Sequence, residues 1–242
     1  MATASEASAT LAHRRDLYRV LASMYFNVLT EAQIEDLAGR DYAPLTADEN
    51  ELIASGFNDI RRYLRKRHTG THQELAMDFT SCFLGARTYE GLTAAPYESL
   101  YLDASGLLMG RVRHDVFEAY KRERVALQKG IDYADDHVSF EFEFMAILCE
   151  RTLAALERGD GTEARRVLAV QRSFVTEHIN RWFTRFHHLT TRFIETRFYR
   201  GVLNITQGFL DEEPGLIDEI ADAIARAPER DAAAAAESQG AA

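Results

Sequence analysis

The stretch from Tyr133 to Glu157 constrains the fold of this 242-residue chain more than any other. Its first apolar residues, Val138, Phe140, Phe142 and Phe144, alternate as a half-buried strand would. Beyond Phe144 the alternation fails. Val138, Phe142, Met145, Cys149, Thr152 and Leu156 instead follow 4-3-4-3-4 spacing, which holds one face of a helix over more than four turns. Phe140, Phe144, Ile147 and Leu148 widen that apolar arc and leave Ser139, Glu143, Ala146, Glu150 and Glu157 as the outward side. A helix that is apolar around most of its circumference belongs inside a bundle, so the spacing predicts a central helix.

Asp136, His137 and Glu141 stand where that helix begins. His137 and Glu141 are i,i+4 neighbours within the apolar arc, where a carboxylate is costly unless paired. Glu141 is therefore expected to accept a hydrogen bond from His137 or from a neighbouring segment, and Asp136 fits an N-cap. Two readings stand side by side: a capped helix with a satisfied internal pair, or a polar recognition point at an exposed helix start.

Long 3.6-period runs, with only 4 prolines and 14 glycines, predict an all-α fold. The length suits one large domain or two helical lobes joined by a hinge. A first helix from Leu11 to Leu29 turns Leu17, Leu21, Met24 and Val28 inward and Arg14, Arg15, Arg19 and Ser23 elsewhere. Thr30 with Gln33, Thr46 with Glu49 and Thr71 with Glu74 read as capping boxes for three more starts. The helix after Thr46 would bury Ile53, Phe57, Ile60 and Leu64 and end in the basic run Arg61 to Arg67, a solvated face that complements the helix dipole. The helix from Thr71 would pack Leu75, Phe79 and Phe83.

An irregular loop or hinge is expected over 86–104. It carries Pro96, Tyr97, Glu98, Ser99, Leu100 and Tyr101, aromatic and polar groups that either bind a ligand or plug a helix junction. A helix from Ser105 to Lys129 would use Met109, Val112, Val116 and Tyr120, followed by a turn over 130–136. Gly159-Asp160-Gly161 makes a short connection, so the next helix, with Leu168, Val175, Ile179, Trp182 and Phe186, should lie antiparallel to the central one. A helix with Ile194, Phe198 and Ile205 follows, and Pro214 reads as the first turn of a last one. The folded domain is expected over 11–227, between a disordered 1–10 and a disordered, alanine-rich 228–242.

The net charge of −10 argues against nucleic acid and favours a cationic partner. Cys82 and Cys149 read as core thiols of a reducing compartment. The start lacks a secretory signal and no segment has membrane-spanning length, so the expected location is the cytoplasm. Cys-x-x-Cys, Walker, dinucleotide and His-Glu-x-x-His motifs are absent, and none of the 8 histidines follows a glutamate by three residues. No catalytic residue and no metal ligand set is expected; His68 with His72 and His187 with His188 are too weakly spaced. A helical enzyme is disfavoured on these grounds, whereas a helical adaptor or sensor domain without leader binding stays open.

With the helices in place, the chain resembles the TorD/DmsD/NarJ family of redox-enzyme maturation chaperones from about Leu17 to Leu210. That family carries a Glu-Pro-x-Asp-His turn leading into a Glu-Leu-x-Phe-Met run. Here Asp136, His137, Glu141, Phe142, Phe144 and Met145 match in register, with Tyr133 and Ala134 in place of the Glu and Pro. Pro96 to Tyr101 resembles its Pro-x-Glu-Ser-hydrophobic-Tyr segment, and Trp182 and Phe198-Tyr199 its later aromatic landmarks. Where the family often has Gly-Leu shortly after the equivalent of Tyr120, this chain has Arg124-Val125, which suggests a longer helix.

The resemblance implies a TorD-like helical bundle acting as a cytoplasmic chaperone. It would bind the twin-arginine leader and apo-form of a molybdenum-cofactor oxidoreductase of the DMSO reductase type, hold it for cofactor insertion and delay its export. Asp136, His137, Tyr97, Glu98, Ser99 and Tyr101 would form the leader site, with Glu141, Phe144 and Trp182 as structural support. The resemblance also implies no required cofactor, weak guanine-nucleotide binding in some members, and a monomer or a lobe-swapped dimer.

Overall fold

The computed structural model describes residues 4–89, 92–103, 110–128 and 130–226. The helices are α1 (Ala4–Phe26), α2 (Glu31–Ala38), α3 (Glu51–Leu64), α4 (Thr71–Phe83), α5 (Glu98–Leu102), α6 (Arg111–Arg122), α7 (Val138–Glu157), α8 (Gly161–Phe174), α9 (Asn180–Thr190) and α10 (Arg197–Arg226). A minimal antiparallel hairpin, β1 (Thr88–Tyr89) with β2 (Leu92–Thr93), interrupts the stretch expected to be irregular, and α5 occupies its far end. The fold is all-α, and among the described residues nearly all the buried apolar side chains belong to one continuous core.

Helix α7 is the centre of that core. Val138, Phe142, Met145, Cys149 and Thr152 are fully buried, as their spacing predicts. The enclosure goes further than expected, because Ser139 and Ala146 are buried too and only Glu143 and Glu157 stay exposed on this helix. Helix α1 packs along one side of it and α8 along another, while α10 pairs with α3.

Several boundaries differ from the sequence expectation. Helix α1 begins at Ala4, with Ala7 buried, so the described part of the segment expected to be disordered is helical. It ends at Phe26 rather than Leu29. The Thr30–Gln33 capping box forms: the Gln33 N–H donates to Thr30 Oγ1 at 3.2 Å and the Thr30 N–H to Gln33 Oε1 at 2.8 Å. The other two do not. Thr46 lies in a short 3₁₀ turn, and Asn50 caps α3 by accepting from the Leu52 and Ile53 N–H groups. Thr71 is already the first residue of α4, and its hydroxyl accepts from the His68 N–H instead.

Helix α6 ends at Arg122 and does not run longer; Arg124 adopts the left-handed φ of 55° that glycine would take. Met109 and Lys129 lie outside the described residues, as do Gly91 and the segment after Arg226. The long helix expected after Gly161 is divided: a π-helical turn, Val175–Ile179, separates α8 from α9.

Pro214 does not start a helix. It sits inside the 30-residue α10. A proline there leaves the carbonyl four residues earlier without its helical donor, and the Asn180 side-chain amide supplies one to Leu210 O at 3.1 Å. One residue before the proline, the buried Glu213 carboxylate accepts a bidentate bond from Arg14 at 2.7 and 2.6 Å and the Tyr18 hydroxyl at 2.5 Å. Arg14 also donates to Gln171 at 2.8 Å, and Gln171 donates onward to Thr152 at 2.9 Å. Arg14, expected away from the core face, is thus an interior cation joining α1, α8 and α10. Arg14→Met should cost about 3–5 kcal/mol, because it strands a buried carboxylate, and Glu213→Leu placed on top of it should restore much of the loss. Urea unfolding of both variants reads this directly.

Helices α3 and α10 meet through a glycine pair. A Cβ on Gly201 would lie 2.5 Å from the Gly56 carbonyl oxygen, and one on Gly56 2.7 Å from that of Gly201. Alanine at an open helical position would gain roughly 1 kcal/mol of propensity. Here the backbones must separate, so Gly201→Ala should instead destabilise by about 1–3 kcal/mol. A higher denaturation midpoint for this variant would show that the helices are not in such close contact.

Candidate functional site

The segment before α7 is held against the segment before α5 by backbone pairing. The Val138 N–H donates to Pro96 O at 2.8 Å and the Glu98 N–H to Asp136 O at 3.1 Å, so Tyr97 and His137 form an isolated antiparallel bridge. Asp136 then acts across this junction. Its Oδ2 accepts the Ser99 N–H at 2.9 Å, a free first-turn donor of α5 rather than of α7. The cap of α7 is His137, whose Nδ1 accepts the Ser139 N–H at 3.2 Å. Sequence spacing misplaced this cap by one residue because Asp136 has a nonlocal client.

Burial sets the chemistry. Asp136, His137, Glu98, Ser99 and Glu141 are each at most 1% exposed and Tyr101 is 8% exposed. The expected recognition point is therefore enclosed, and of its members only Tyr97 is half-buried. The reason is the Pro96–Tyr101 segment itself, which lies over the helix start. Burial raises the Asp136 pKa, partly offset by the Ser99 bond. Burial pushes His137 down to about 3, consistent with an Nδ1 lone pair committed to accepting a hydrogen bond.

Glu141 does not bond to His137. Burial, then the charges of Glu98 and Asp136, raise its pKa well above the usual carboxylate value and favour its protonated form. Neither of its oxygens reaches a partner at hydrogen-bonding geometry, although Glu98 and the Trp182 indole are its polar neighbours. Glu98 is better satisfied: both its oxygens lie 3.1–3.2 Å from His178 Nδ1. His178 sits in the π-helical turn and its ring stacks on Phe174, centroids 4.8 Å apart. Neither the turn nor the His178 partnership was visible in the sequence, since it depends on a local change of helical pitch.

Trp182 and Phe144, expected as supports, are fully buried. Trp182 stacks on Tyr101 at 5.4 Å, and Phe144 packs against Tyr120 and Phe174 at 4.7 and 4.8 Å. Ser99 Oγ, Asp136 Oδ1, Ser139 Oγ and Trp182 Nε1 add to the unpartnered buried polar atoms gathered here, an uncommon concentration for a folded interior.

Beside the acids lies an open groove of about 430 Å³ between α1, α6 and α7. Ala22, Phe26, Val125, Ile131, Phe140, Phe144 and Ile147 make its walls apolar, and the exposed Glu143 carboxylate sits on its lining. Arg19, also lining it, is paired with Glu150 at 2.6 Å. An aromatic row links groove and turn: Phe26 to Tyr133 at 5.3 Å, Tyr133 to His137 at 5.0 Å, and His137 to Tyr97 at 4.9 Å. The sequence spacing placed Glu143 on the outward side and did not single out Phe26; the signal that could have found them is an apolar arc too wide for the partners available to cover it.

Among the described residues no group of three or more His, Cys, Asp or Glu is arranged to hold a metal, and no helix is long and apolar enough to cross a membrane. Both cysteines are free and buried.

An enclosed helical bundle with one open apolar groove is the framework of a binding protein. The chain belongs to the nitrate reductase delta subunit family, whose pattern it matches over residues 49–188. It is similar to curated proteins named chaperone protein TorD: that of Aliivibrio salmonicida (strain LFI1238) is 24% identical over 216 residues, covering 86% of this chain and 95% of the relative. Those of Vibrio cholerae serotype O1 (strain ATCC 39315 / El Tor Inaba N16961) and Aliivibrio fischeri (strain ATCC 700601 / ES114) are 25% and 26% identical, covering 86% and 85% of this chain and 93% and 95% of the relatives. The chain is thus a TorD-family chaperone and not an enzyme, in agreement with the resemblance carried by its Asp-His turn.

The neutral, buried His137 makes stability depend on pH. An imidazole free in the unfolded chain titrates near 6.5, whereas this one is held at about 3. Below pH 6.5 the unfolded state takes up a proton that the folded state refuses, so each unit of acidification removes about 1.4 kcal/mol. Glu141 acts oppositely, since its raised pKa favours folding as pH falls towards 4.5. His137→Asn keeps a capping side chain and leaves the Glu141 contribution in place. Between pH 6.5 and 5 the variant should therefore lose about 2 kcal/mol less stability than wild type. Equal pH slopes in urea titrations of the two proteins would contradict a neutral His137.

Proposed function

We propose that this protein is a cytoplasmic, system-specific chaperone for a molybdenum-cofactor oxidoreductase of the DMSO reductase type. It binds the enzyme's twin-arginine leader and apo-form, keeps the apoenzyme competent for cofactor insertion and delays its export. The observation that carries the leader reading is the groove: an apolar channel with one exposed carboxylate matches a peptide that offers arginines beside an apolar stretch. Phe26, Phe140 and Ile147 would receive the apolar side chains, and Glu143 would pair with a guanidinium, whose planar fork suits a carboxylate.

Asp136 and His137 take part as positioning residues in this proposal. Asp136 ties α5 to the start of α7 and His137 caps α7, so both set the groove wall that Phe140 and Phe144 build. Tyr97, half-buried at the end of the aromatic row, would touch a bound peptide from the Pro96–Tyr101 segment. Glu98, Ser99 and Tyr101 support it from within.

Calorimetric titration with a synthetic twin-arginine leader and a twin-lysine control tests the assignment. Glu143→Gln, an exposed change that should leave the melting temperature within experimental scatter, is expected to weaken the arginine peptide about 5–10-fold and the lysine peptide less. Phe140→Ser should weaken both. If wild type binds neither peptide, the leader reading fails and a helical adaptor with another ligand takes its place.

A further inference from the structure

We propose that the cationic cleft between the end of α3, the start of α4 and the start of α10 docks an acidic segment of a partner protein. The cleft, about 760 Å³, is lined by Arg62, Arg65, Lys66, His68 and Arg197 together with Tyr63, Thr71 and Glu74. The chain carries a net charge of −10, so this concentration of cations runs against its overall balance. Arg62, Arg65 and Lys66 are exposed, stand at i, i+3 and i+4, and their side chains have no hydrogen-bond or ion-pair partner among the described residues. Neighbouring like charges at this spacing repel one another.

The basic run had read as a solvated face complementing the helix dipole, but the magnitudes do not match. The C-terminus of a helix carries only about half a negative charge, against three formal cations here. Acids in the cleft do not close the balance either. Glu74 is engaged by the Tyr63 hydroxyl at 2.9 Å and lies 3.3 Å from His68 Nε2, and Arg197 is paired with Asp59 at 2.9 Å on the rim. Three cations remain for an outside ligand.

The form of the site favours a peptide over a compact phosphate. Its free cations are all exposed and on long side chains, and the buried Thr71 hydroxyl on the lining is already engaged by the His68 N–H, so no buried charge fixes a small anion in one geometry. Such an arrangement attracts a flexible acidic segment, sets its orientation and raises its on-rate, with strong dependence on salt. A partner bearing acids would be repelled by most of this protein's surface and admitted here. The cleft and the groove beside α7 share no lining residue, so this inference does not rest on leader binding.

The test uses the full-length protein and a fluorescent decapeptide of alternating Asp and Glu, with the matching Asn and Gln decapeptide as control. Wild type should bind the acidic peptide, release it progressively as salt rises, and ignore the control. Arg62→Glu with Arg65→Glu and Lys66→Glu should weaken binding at least about tenfold, and Arg62→Gln with Lys66→Gln by an intermediate factor, both with unchanged melting curves. Glu143→Gln should bind the acidic peptide like wild type, whatever its effect on the leader. No binding by wild type, equal binding by the charge-reversed protein, or displacement by inorganic pyrophosphate at lower concentration than by unlabelled peptide would each overturn the proposal.

Discussion

Because α7 is apolar around most of its circumference, it has to be surrounded, and every polar group on it must then find its partner inside the protein. The structure meets this demand unevenly. Thr152 is bonded by Gln171, which is held in turn by Arg14. His137 is kept neutral and turned on the backbone of its own first turn. Glu141, without a hydrogen-bond partner, is pushed towards its protonated form by burial and by its acidic neighbours. The short α5 is present because Glu98 and Asp136 need it: one carboxylate reaches His178 from it, and the other caps it.

The same enclosure explains the long helices at the two ends of the described chain. Helix α1 supplies the aromatic side of α7's cover through Tyr18 and Tyr25, which meet Phe142 at 5.8 and 6.0 Å. Helix α10 holds α1 in place through the Arg14–Glu213 pair, and tolerates Pro214 because Asn180 takes the carbonyl that the proline leaves unbonded. The close passage of Gly56 and Gly201 then fixes α3 on α10 at backbone distance. A buried ion pair contributes little net stability compared with apolar packing, but it penalises arrangements that would separate its partners.

For a chaperone this division of labour has a consequence. The motif shared with the family lies almost wholly in the interior, where it shapes the start of α7, while the surfaces we propose for a client are the apolar groove beside it and the basic cleft at the far end of α3. A rigid interior behind two chemically different surfaces suits a protein that must hold a partner without reacting with it.

The sequence by itself determined the all-α class, the central place of α7 and most of its buried face, because 3.6-residue periodicity depends only on local geometry and on the cost of wetting apolar groups. It also pointed to the Asp-His turn and the Pro96–Tyr101 segment as parts of one site. Tertiary structure alone decided how those parts meet. Asp136 caps α5 across 37 residues of chain, and Arg14 reaches Glu213 across 199, pairings that no local pattern encodes. The uninterrupted passage of α10 through Pro214 and the π-helical turn carrying His178 have the same origin, whereas the capping boxes expected at Thr46 and Thr71 gave way to nearer partners, the Asn50 cap and the His68 N–H. At Pro214 and His178 the local preference was overruled by a donor or acceptor arriving from a distant segment, and the burial that turned an expected recognition point into an interior one was set by the segment folded over it.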